Sequence, residues 1–99
     1  MWLSDAEFLG RPVIAADGQT IGAVSALLFD SGTWAVGAFK VKLRKEAAER
    51  LGASRSLFHA GTIELSVRAV RSVGDAVLLA EDVEGLRRYL AGEGAPASP

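Results

Sequence analysis

The dipeptide Asp17-Gly18 stands between Val13 and Ile14 on one side and Ile21, Val24, Leu27, Leu28 and Phe29 on the other, and it constrains this chain most. A tight hairpin turn needs positive φ, which glycine adopts without steric cost, so Asp-Gly between apolar runs specifies an antiparallel hairpin. The first two strands are expected over residues 11–16 and 20–29. Pro12 has no amide hydrogen to give to a ladder, which suits a strand beginning or an edge. The second strand is nearly all apolar after Gly22, which implies that both of its faces are covered.

A second turn cluster, Asp30-Ser31-Gly32-Thr33, precedes a stretch in which Phe39, Val41 and Leu43 alternate with Lys40, Lys42 and Arg44. Period two marks a half-buried strand with its cations outward. The period then changes: Ala47, Ala48 and Leu51 share one helical face, Glu46 and Arg50 stand at i,i+4, and Gly52 suits a helix C-terminus, so residues 45–52 read as a short helix. Ile63, Leu65 and Val67 alternate with Glu64, Ser66 and Arg68 in a fourth strand. Gly74-Asp75 is a further turn, before a fifth strand at 76–79. Asp82 can cap a last helix, with Glu84 near its positive end and Arg87 and Arg88 near its negative end. Val83, Leu86, Tyr89 and Leu90 give that helix one apolar stripe, which must dock on the sheet or on a partner.

The expected fold is mainly β: a small antiparallel β-barrel with one short inserted helix and a C-terminal helix, forming a single domain over residues 1–91. Residues 92–99, rich in Gly, Ala and Pro, read as a disordered tail. At 99 residues, 49% hydrophobic and 23% charged, the chain has the length and composition for one buried core. A net charge of -1 supplies no global field towards nucleic acid or an anionic membrane, so any such binding must be local. With no cysteine and one histidine, neither a disulfide framework nor a thiolate metal site is available, and no metal or cofactor is expected. The acidic N-terminal stretch lacks the basic region of a secretory signal, and no run is long enough to span a membrane. The expected location is therefore the cytoplasm.

The ordered set Leu9-Gly10-Arg11-Pro12-Val13, Asp17-Gly18-Gln19-Thr20-Ile21-Gly22, Val24 and Leu27-Leu28-Phe29-Asp30 resembles the opening of a PRC-barrel domain. Residues 63–67 and Val73-Gly74-Asp75 continue the likeness, which covers roughly residues 9–80. That family includes the cytoplasmic domain of the photosynthetic reaction-centre H subunit and the C-terminal domain of the ribosome maturation factor RimM. The resemblance implies binding rather than catalysis. It is greatest to the short stand-alone members common in archaea, and it implies pairing as a homodimer.

Catalytic candidates are few. His59 lies near Ser54 and Ser56, but no strand-elbow-helix pattern presents either serine beside a base, so no catalytic residue is assigned. Asp17, Asp30 and Asp75 sit at turns, where aspartate binds local backbone amides. An enzyme would further need a pocket holding perturbed titratable groups. Two surface features remain. Lys40, Lys42, Arg44 and Lys45 open a stretch, residues 40–55, with six basic and two acidic residues. They read either as an RNA contact or as a solvated face that protects a strand from aggregation. No aromatics interleave with them for base stacking. Leu57, Phe58, Leu86, Tyr89 and Leu90 are the candidate protein interface, with core packing as the alternative for each. Trp2 and Trp34 are large enough to fill a core, and indoles do so more often than they stand alone at a surface.

Overall fold

The computed structural model describes residues 2–51 and 61–90. A four-residue helix α1 (Asp5–Phe8) precedes strands β1 (Pro12–Ile14), β2 (Thr20–Phe29) and β3 (Val36–Leu43). Helix α2 (Lys45–Arg50), β4 (Thr62–Ser66), a 3-10 turn (Val67–Ala69), β5 (Val70–Val73), β6 (Val77–Leu79) and α3 (Val83–Arg88) follow. The six strands form one sheet in the order β4-β3-β2-β1-β6-β5.

β4 and β5 lie at opposite edges of that sheet, yet only Val67–Ala69 separate them in the chain. Three residues of 3-10 helix advance about 6 Å, so the sheet must curl round until its two edges nearly meet. The result is a barrel-like wrap with an open seam. Ser66 accepts a hydrogen bond from the Arg68 amide (3.1 Å) at the corner, and the Ala80 amide donates to the Ala69 carbonyl (2.9 Å).

The expected small, mainly β barrel-like fold is present, with one parallel pair among its antiparallel ones: β1 pairs with β6 in parallel, Val13 opposite Val77 and Ile14 opposite Leu78. The cause lies at residues 67–69. No Gly, Asp, Asn or Pro stands there, and the chain bends without reversing, so β4 and β5 run the same way. β6, antiparallel to β5, then arrives alongside β1 in the same direction.

Alternation along the strands sends Val13, Val24, Phe39, Val41, Ile63, Leu65, Val77 and Leu79 to the inner face, where all are buried. Ile21 joins them through a bulge opposite Val13 and Ile14. Ala47 and Leu51, in and just after α2, and Val83, Leu86 and Leu90, in and just after α3, complete the same core. At the Asp17-Gly18 turn Gly18 has φ 91°, the Gly18 amide donates to the Ala15 carbonyl (2.9 Å), and Asp17 accepts from the Gln19 amide (3.3 Å). The Asp82 side chain caps α3 by accepting from the Gly85 amide (2.7 Å). Arg50 donates to the side-chain oxygen of Gln19 rather than pairing with Glu46.

α1 was not foreseen. Ser4 and Glu7 cap it reciprocally: the Ser4 hydroxyl oxygen accepts from the Glu7 amide (3.2 Å) and the Glu7 carboxylate accepts from the Ser4 amide (2.9 Å). Hydrogen bonding to the Glu7 carboxyl by the Ser4 amide first and the Ser4 hydroxyl second holds it below the ordinary glutamate value, with the Arg11 charge adding to the effect. Arg11 donates through Nε to the Glu7 carbonyl (2.9 Å) and through a terminal nitrogen to the Gly74 carbonyl, so it ties α1 to the β5–β6 turn.

Candidate interaction surface

The β2–β3 hairpin outruns its neighbours. β1 pairs with β2 only from Thr20 to Ala23, and the backbone of Gly10 and Arg11 extends that cover to Val24 (2.8 and 3.0 Å). β4 covers β3 only as far as Ala38, opposite Ser66. Leu27 still packs on the core, whereas Phe29 and Val36, paired at the end of the hairpin, are 54% and 45% exposed. The expectation that β2 is covered on both faces therefore fails at its end, Phe29, while Ala26, Leu27 and Leu28 stay half-buried. Its neighbours end too soon.

Asp30 organises the turn that closes this hairpin. Its carboxylate accepts from the amides of Gly32 (2.7 Å) and Thr33 (3.3 Å), its amide donates to the Ala35 carbonyl (2.8 Å), and its carbonyl accepts from the Trp34 amide (2.7 Å). The Thr33 hydroxyl oxygen accepts from the Ala35 amide (3.2 Å). Within this network Trp34 has φ 65°, a left-handed conformation uncommon for a bulky residue and one that costs roughly 1–3 kcal/mol. The indole lies on the Phe29 ring, centroids 5.4 Å apart and planes 18° from parallel, and is 79% exposed. The turn thus presents an apolar aromatic platform to solvent. Trp34 fills no core, and neither does Trp2, which is 97% exposed.

The residues singled out in the sequence fall elsewhere. Leu86 and Leu90 are 1% and 5% exposed and belong to the core, and Tyr89 packs partly buried against it. The apolar stripe of α3 docks on its own sheet, which removes Leu86 and Leu90 from any candidate interface. Leu57, Phe58, His59, Ser54, Ser56, Gly52 and the tail at 92–99 lie outside the described residues.

Lys40 and Lys42 are exposed on the outer face of β3, with Glu64 directly opposite Lys40 on β4. Arg44 and Lys45 are exposed but belong to the start of α2 rather than to the strand. Arg44 and Arg50 border an open cleft of about 350 Å³ with Gln19, Thr20, Glu46 and Ala47. Asp17 and Asp30 bind local backbone amides, while Asp75 sits exposed in its turn. Among the described residues no three His, Asp or Glu side chains cluster to hold a metal, and no helix is long and apolar enough to cross a membrane.

A family model described as PRC-barrel domain matches residues 3–86 of the 99. The chain belongs to the PRC-barrel family. The mixed, incompletely closed sheet agrees with a small PRC-barrel fold, and the family's general character is that of an interaction or assembly module without catalysis. No curated protein matches the chain. The aromatic platform of this PRC-barrel was missed in the sequence, although one signal was present. An apolar run reaching directly into a turn, followed at once by Trp34, leaves no room for neighbouring strands to cover it.

Proposed function

We propose that this PRC-barrel chain is a non-enzymatic cytoplasmic module that pairs with itself as a homodimer and serves as a component of a protein assembly. The observation that supports this reading is the Phe29–Trp34 platform with Val36 beside it. An isolated exposed apolar residue needs no explanation, but a contiguous group on a turn held by the Asp30 network suits contact with another macromolecule. Preorganisation matters energetically, because a contact surface already fixed before binding loses little side-chain entropy on association. Light scattering on the purified protein at about 1 mM is expected to show a species of twice the 10.4 kDa chain mass. A chain mass alone would remove the homodimer.

The outward Lys40 and Lys42 favour a second reading, contact with RNA phosphates. Glu64 opposite Lys40 weakens it by offsetting one of the two charges. The double substitution Lys40→Glu with Lys42→Glu is expected to abolish low-salt RNA binding if that reading holds. Unchanged binding, or none by the wild type, would overturn it.

A further inference from the structure

We infer that a second copy of this chain docks edge to edge on β2 at Leu27–Phe29, joining the two hairpins into one continuous sheet. The inference rests on the homodimer reading and locates its interface. The Asp30 amide and carbonyl both bond towards β3, so strand alternation turns the amides and carbonyls of Phe29 and Leu27 to the opposite side. There β1 has already ended, and among the described residues no backbone group meets them. Unpaired amides and carbonyls in a row are a template for another strand.

The same segment of a second copy fits this template. With a two-fold axis passing beside Leu28, the Leu27 amide donates to the partner's Phe29 carbonyl and the partner's Phe29 amide donates to the Leu27 carbonyl, with the reciprocal pair across the axis. Leu28 then faces the partner's Leu28 as a non-hydrogen-bonded pair, as antiparallel geometry requires. The ladder stops at Val24, whose backbone is already engaged by Gly10 and Arg11, so the partner's turn is brought beside Gly10 and the 40% exposed Leu9. The interface is isologous and therefore closes on itself.

Charge agrees with this occupant. Residues 26–29 carry no charge, so two identical segments meet without like-charge repulsion. Phe29, 54% exposed, is the large apolar side chain that the β2 edge itself brings to the seam. An edge pairing of one short segment buries well under the roughly 1,000 Å² of a stable specific interface. A dimer of this size is weak, and its population depends on concentration.

Sedimentation velocity from about 1 µM to about 1 mM tests the inference on the full chain. The wild type is expected to pass from monomer to dimer, and Phe29→Lys with Trp34→Lys to remain monomeric with an unchanged circular dichroism spectrum. Hydrogen exchange on the wild type supplies a readout independent of the variant's folding: the Leu27 and Phe29 amides should slow as concentration rises. A wild type that stays monomeric throughout overturns the homodimer itself. A wild-type dimer that leaves these amides unprotected, or that survives in a folded double variant, overturns only this interface. Wild-type monomer that sediments with phosphatidylglycerol vesicles would give the tip to a lipid surface instead and overturn the second copy as its occupant.

Discussion

Gly22 on β2 lies so close to Lys42 on β3 that a β-carbon on the glycine would overlap the Lys42 carbonyl oxygen and sit 2.9 Å from its carbonyl carbon. The obstructing atoms are backbone within a central strand pair and cannot swing aside. Gly22→Ala must therefore push β2 and β3 apart, and overpacking of this kind costs roughly 1–3 kcal/mol or more. Urea unfolding should show a lower midpoint by a corresponding amount. Gly37→Ala, where nothing stands within 4 Å, is the control and should cost less.

Leu86 is an anchor of α3 in the core. Leu86→Ala should lower unfolding free energy by about 2–5 kcal/mol, the range for removing a fully buried leucine side chain. Thermal unfolding monitored at low concentration checks this, because a residue serving only an intermolecular contact would leave the stability of the monomer unchanged.

Asp30→Ala removes the acceptor for the Gly32 and Thr33 amides without touching the aromatic pair directly. The loss should be about 1 kcal/mol of local stability, with faster hydrogen exchange at Gly32 and Thr33. The Trp34 indole, no longer held over Phe29, should show increased fluorescence quenching by added acrylamide. Equal exchange rates in variant and wild type would show that the carboxylate does not organise the turn.

The Ser4–Glu7 capping box gives the N-terminus an acid sensitivity of predictable sign. The folded carboxyl of Glu7 lies below its ordinary value of 4.5, so the capping contribution is fully present above that value and disappears as pH falls through the depressed one. A carbon-detected NMR titration should find the Glu7 midpoint below 4.5, and Ser4→Ala should move it back up. A midpoint indifferent to Ser4→Ala would remove the assignment of that shift to the cap.

Elements whose signals are local were legible in the sequence. Asp17-Gly18 set the first hairpin, the alternation from Phe39 to Leu43 set β3, Asp82 set the start of α3, and the change of period at Lys45 set α2. The parallel pairing of β1 with β6 was harder to read, because direction depends on whether the chain reverses at Val67–Ala69. Absence of turn residues there was a clue of the weakest kind. Ser4-x-x-Glu7, the capping-box spacing over α1, is a stronger one. The distinction between core and surface failed for a different reason: the stripe on α3 and the run Leu27-Leu28-Phe29 look alike as apolar patterns, and only the lengths of neighbouring strands decide that one is covered and the other ends bare.

The bend at Val67–Ala69 also orders the assembly of the chain in time. β2, β3 and β4 pair only with sequence neighbours and can zip as a meander, but the strip bearing Val13 stays uncovered until Val77 and Leu78 arrive from the far end of the chain. Closing so long a loop is entropically expensive and slow compared with hairpin formation. During synthesis the first strand must therefore wait, one edge unprotected, until Val77 and Leu78 have left the ribosome and can pair with it.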